Sequence, residues 1–98
     1  MIFSFLEPAK DELNEAIAFY EAQRDGLGEE FAQEIINTVQ RILDHPEAWS
    51  KLSENVRRCR TKRFPYGVVY QIRNDNILIV AIMHLHRRPG YWKDRLQG

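Results

Sequence analysis

The sequence is poor in the features that mark several protein classes. A single cysteine, Cys59, cannot form an intramolecular disulfide, which argues against a disulfide-stapled scaffold and fits a reducing compartment. The longest apolar run, Ile77 to Met83, falls far short of the roughly 20 residues that cross a bilayer, so no membrane span is expected. Met1 to Ala9 has no basic start, and Glu7 and Pro8 interrupt the apolar stretch that a secretion signal needs, so the expected location is the cytoplasm. Repeats and low-complexity tracts are missing, and 98 residues suit one domain over 1–98 with one economical core. Two histidines of the second half, His84 and His86, have no third ligand of Cys, Asp or Glu nearby, so neither a metal nor a cofactor is expected.

Acidic residues are scarce in that second half, and the scarcity hides behind a formal net charge of zero. Residues 1–55 carry four cations against twelve anions, a net −8, whereas residues 56–98 carry ten cations against Asp75 and Asp94, a net +8. Either the second half presents a cationic face to nucleic acid or to an acidic protein segment, or the halves pack together and neutralise one another.

The elements follow from periodicity. Ile2 to Leu6 reads as a strand, and Pro8 suits the first turn of a helix running to about Gln23. Ala9, Leu13, Ala16, Ile17 and Tyr20 form the apolar stripe of that helix, with Glu12, Glu15 and Glu21 placed nearer water. Gly26-Leu27-Gly28 ends it, and a second helix from Glu29 carries an apolar stripe of Phe31, Ile35, Val39 and Ile42, widened by Ala32, Ile36 and Leu43, before stopping at His45-Pro46. So short a link predicts an antiparallel helical hairpin. Pro46 to Asn55 is irregular, with Trp49 and Leu52 expected to lap onto the core.

Val56 to Arg63 reads as a basic strand, its Cys59 side buried. Two further strands flank a two-residue turn at Asn74-Asp75. Strict alternation would place Val68, Tyr70, Ile72, Ile77, Ile79, Ala81 and Met83 under the helices. Val69, Gln71, Leu78, Val80, Ile82 and His84 would then line an open opposite face.

Three groups could carry chemistry. His84 and His86 could exchange protons near neutral pH, or could simply cap a strand and sit on the surface. Arg57, Arg58, Arg60, Lys62 and Arg63 could grip phosphates, or could protect an edge strand from aggregation. Tyr91 could stack a base, while Trp92 is expected to pin the terminal segment to the core. Cleaving RNA by its own 2′-hydroxyl needs a base, an acid and cations around one phosphate, and the strands offer no carboxylate outside the turn.

The succession of a strand, a helical hairpin and a basic strand leads into Arg63-Phe64-Pro65-Tyr66 and Val68-Val69-Tyr70. After the turn come Ile79-Val80-Ala81-Ile82-Met83-His84 and Arg88-Pro89-Gly90-Tyr91-Trp92. Together with Gly26-Leu27-Gly28-Glu29-Glu30-Phe31, this order resembles the RelE/ParE superfamily of bacterial type II toxins, closer to the ParE side. The resemblance implies an α+β fold: a small antiparallel sheet with an N-terminal strand, an αα-hairpin on one face and a short C-terminal helix. It implies a plasmid-stabilisation type of toxin that forms a hetero-oligomer with a cognate antitoxin, and three possible activities. A ParE-like toxin inhibits DNA gyrase by binding; a RelE-like mRNA interferase cuts message on the ribosome; an inactive relative only binds its antitoxin. In the nuclease case Arg60 and Lys62 would hold phosphate, His84 or His86 would be the base, and Arg87 would stabilise charge. In the binding case Arg58, Arg60, Lys62, Arg63, Arg88 and Tyr91 are the expected contacts.

Overall fold

A computed structural model describes residues 1–96. The elements are β1 (Ile2–Phe5), α1 (Glu7–Gln23), α2 (Leu27–Asp44), β2 (Ser50–Lys51), β3 (Val56–Arg60), β4 (Tyr66–Arg73), β5 (Asn76–His84) and a 3-10 helix over Lys93–Leu96. The predicted α+β class holds, with the N-terminal strand, the helical hairpin and the short C-terminal helix in place. The sheet has the order β1-β5-β4-β3-β2 and is mixed: β1 runs parallel to β5, from Ile2 opposite Asn76 to Phe5 opposite Ile79. The helical hairpin carries the chain from β1 at one edge of the sheet to β2 at the other, and β3, β4 and β5 return antiparallel until β5 lies beside β1. The two-residue β2 inside the irregular Pro46–Asn55 stretch was not foreseen, and the basic strand ends at Arg60 rather than Arg63.

The hairpin of helices forms as its spacing dictates. Pro8 occupies the first turn of α1, where its missing N–H has no intrahelical partner. At the link, Gly26 takes φ +88, and the Glu21 carboxylate accepts the N–H groups of Gly26 and Gly28, closing the positive end of α2. Ala9, Phe31, Ile35, Val39 and Ile42 then bury their side chains against Val68, Tyr70, Ile77 and Ile79. Cys59 joins this core, and burial pushes its thiol above the ordinary range.

One irregularity redistributes the two faces of the sheet. The turn at Asn74-Asp75 closes as expected, with Asn74 at φ 55 and Arg73 opposite Asn76. Tyr70 faces Ile79 but Val69 faces Ala81, so Val80 is an extra residue on β5. Beyond this bulge the alternation is inverted. Ile82 packs into the core under the helices, whereas Val80, Ala81 and Met83 all turn to the other side. The predicted faces are therefore right up to Ile79 and exchanged from Ala81 onward, because a bulge is a one-residue slip of register.

The second face is not open. Val56, Val69, Val80, Ala81 and Met83 form a second apolar cluster, closed by Trp92 with Leu52, Leu85, Tyr91 and Leu96 around it. Trp92 is buried at 3% exposure and pins the tail as expected.

Candidate functional site

The Val80 bulge carries His84 to the helical side, at the mouth of a cavity of about 250 Å3 lined by Glu12, Glu15, Phe19, Tyr66, His84 and Arg87. The His84 ring meets Tyr66 and His86 edge-on, each at 5.1 Å between centroids. Its Nδ1 accepts the backbone N–H of His86 at 3.1 Å, so in the neutral ring the proton resides on Nε2. Two glutamates therefore share the cavity with the histidine, although the strands themselves, as expected, offer no carboxylate outside the turn. Both glutamates come from α1.

Glu12 is the residue the sequence reading misplaced. Instead of facing water it is 13% exposed and gathers four donors. Arg95 binds it in a two-pronged pair, Nη1 to Oε1 at 2.7 Å and Nη2 to Oε2 at 2.9 Å. The Tyr91 hydroxyl donates to Oε2 at 2.7 Å, and the Ile82 N–H to Oε1 at 3.1 Å. Arg95 Nη1 also donates to the Val80 carbonyl at 3.0 Å. The reason lies in the topology. β1 stops opposite Ile79, so β5 has no strand beside its outer edge from Val80 onward. There the carboxylate and the guanidinium supply the acceptor and the donor a neighbouring strand would have offered. The bond to Glu12 holds the Arg95 guanidinium above its usual pKa, and burial, reinforced by that carboxylate, raises the Tyr91 phenol. The signal was available: Glu12 lies three residues after Ala9 and four before Ala16, inside the apolar stripe.

The basic strand does not act as one patch. Arg57 turns to the helical side and donates to the carbonyls of Glu47 and Trp49. Arg63 is paired with Glu30, which also takes Arg24, and the bond to Arg63 holds the Glu30 carboxyl below its usual range. Lys62 donates its backbone N–H to Glu34 at 2.6 Å, and Arg60 and Arg88 are exposed. Arg58 goes to the opposite face. There it lines a second cavity, of about 240 Å3, with Arg87 and Lys93 above Leu52, Met83 and Trp92. Only Arg87 borders both cavities, its guanidinium stacked 3.9 Å from the Tyr91 ring centroid. Among the expected site residues, then, His84 and Arg87 meet. His86 touches His84 from the exposed side, and Arg60, Lys62 and Arg63 are not among the residues lining either cavity.

A third concavity, of about 280 Å3, is almost wholly apolar and lies between β1 and the helices, lined by Phe3, Phe5, Leu13, Ile35, Ile36 and Leu43. Ile36, assigned from sequence to the buried stripe of α2, is 60% exposed at its rim. No cluster of metal-ligating side chains occurs among the described residues, and no helix among them is long and apolar enough to cross a membrane.

Residues 3–89 match the family described as the ParE toxin of the type II toxin-antitoxin system parDE. No curated relative matches the sequence. Among solved structures, the fold is similar to a chain of the chromosomal ParDE toxin-antitoxin system from P. aeruginosa. That match has a TM-score of 0.74 and 19% identity, and it covers 88% of this chain and 97% of that one.

Proposed function

The chain belongs to the ParE toxin family of type II toxin-antitoxin systems, and we propose that it arrests growth by binding an essential target, DNA gyrase, rather than by cutting RNA. The observation that supports binding is the dispersal of the basic residues. A nuclease of this size needs a base, an acid and cations around a single phosphate. Here Arg63 is committed to Glu30, Arg57 to backbone carbonyls, and Arg58 lies in a cavity away from His84. A specific feature favours a second reading: His84, Tyr66, Arg87, Glu12 and Glu15 share one cavity, which has room for a phosphodiester.

Conditional expression separates the two. Binding to gyrase predicts that supercoiling falls while message on translating ribosomes stays intact. The double variant His84→Ala, His86→Ala should stay toxic. Cleaved message with undisturbed supercoiling would favour the nuclease, and no growth effect would favour an inactive relative.

The family pairs its toxins with antitoxins, and we assign the apolar groove beside Ile36 to an apolar segment of the antitoxin, forming a hetero-oligomer. An exposed concavity of this composition is a protein-binding surface more often than a solvated one.

A further inference from the structure

The second cavity holds three cations whose positions are each fixed by a separate device. Arg58 lies flat across Gly67: a Cβ at that glycine would stand 2.9 Å from both Cγ and Cδ of the arginine, so the absent side chain is the seat of its stem. Lys93 lies over Gly90, where φ is +77 and a Cβ would meet Lys93 Cε at 3.1 Å. Arg87 is held by the face of Tyr91. None of the three forms a salt bridge among the described residues, and the Nε of Arg58 is buried without a hydrogen-bond partner. Burial, with Arg60 next to it, holds the Arg58 guanidinium below its usual pKa. Like charges gathered over an apolar floor, one with a desolvated and unanswered donor, form an arrangement that an anion would complete.

The floor decides which anion. Leu52, Met83, Leu85 and Trp92 give the cavity an apolar base beneath its cationic rim. A phosphate on the convex rail of a duplex would meet the rim and leave that base empty. A peptide carboxylate with an apolar side chain next to it would answer both. We infer that this cleft seats an acidic segment of the antitoxin, a carboxylate against Arg58, Arg87 and Lys93 with a neighbouring apolar side chain on Leu52 and Met83. The inference rests on the toxin-antitoxin reading, and it adds a second contact on the face of the sheet opposite the helices.

Calorimetry of the full chain tests it, using a blocked peptide of alternating glutamate and leucine. The same peptide with glutamine in place of glutamate and a short DNA duplex serve as controls. The acidic peptide should bind, and the double variant Arg58→Met, Lys93→Gln should bind it about tenfold or more weakly. Lys93→Gln alone, at an exposed position, should give part of that loss with thermal unfolding unchanged. Gly67→Ala, which displaces the Arg58 stem, should weaken binding without removing any charge. Equal binding of the glutamine peptide, equal binding by the double variant, or duplex DNA competing for the same cations would each overturn the assignment. With the antitoxin itself, undiminished affinity of the double variant would overturn the cleft contact and leave the family reading standing. No antitoxin binding by the unaltered chain would remove both.

Discussion

Tyr70 stands at the middle of β4 with no exposed surface, and its hydroxyl donates to the carbonyl of Pro46 just past the end of α2. That bond ties the irregular connection to the sheet, which is why a stretch without periodicity holds a fixed course. Burial pushes the phenol up to about 12, against about 10 for a free one. The protonated form is thus favoured in the folded state, so the contribution of Tyr70 is complete below pH ~10 and is lost as pH rises from ~10 through ~12. Urea unfolding followed from pH 8 to 12 should show stability falling across that window. Tyr70→Phe should flatten the fall and cost about 1 kcal/mol at neutral pH.

Elements in this fold are joined by side chains where backbone pairing runs out. α1, the outer edge of β5 and the C-terminal 3-10 helix meet at Glu12, and the same residue holds the segment that covers the second apolar cluster. Removing one partner of such a half-buried pair leaves the other uncompensated. Glu12→Ala should therefore lower the unfolding free energy by about 3 kcal/mol. It should also loosen the tail first, read as faster proteolysis beyond Gly90 and faster amide exchange at Ile82.

This junction also marks how far periodicity could be read from residues alone. Helical spacing located α1 and α2 to within two residues, and Asn74-Asp75 located the turn, because both signals are local. The Val80 bulge could not be foreseen, since nothing in Ile79-Val80-Ala81-Ile82 distinguishes a bulged residue from a paired one. Everything downstream of it, including the side on which His84 emerges, depended on that one residue. Glu12 was legible in principle, as a charge inside an apolar stripe, but its partners lie 70 and more residues away. The basic strand was legible as charge and not as a patch, because its arginines alternate between faces, Arg57 is taken up by backbone carbonyls and Arg63 by Glu30 of α2.

At the scale of the molecule, the sequence dipole of −8 and +8 is partly spent internally and partly left over. Glu30 with Arg63, Glu34 with the Lys62 backbone and Glu12 with Arg95 stitch the acidic helices to the basic strands and tail. The cations without such partners include Arg58, Arg87 and Lys93, which gather on the tail side, while the apolar groove by Ile36 opens between β1 and the helices. A partner that engaged both would be held by two forces with different salt dependence. Charge pairs at an open rim are screened within roughly 8–10 Å at ordinary ionic strength, whereas apolar burial is not screened. Antitoxin affinity should accordingly fall as salt rises from low to high concentration and then level off. Arg58→Met with Lys93→Gln should shrink the salt-dependent part and leave the plateau. Ile36→Asp should lower the plateau itself, by about tenfold or more, with the salt slope retained. Titration of the antitoxin into each variant at several salt concentrations would read both quantities. A plateau insensitive to Ile36→Asp would mean that the groove is not where the partner lies.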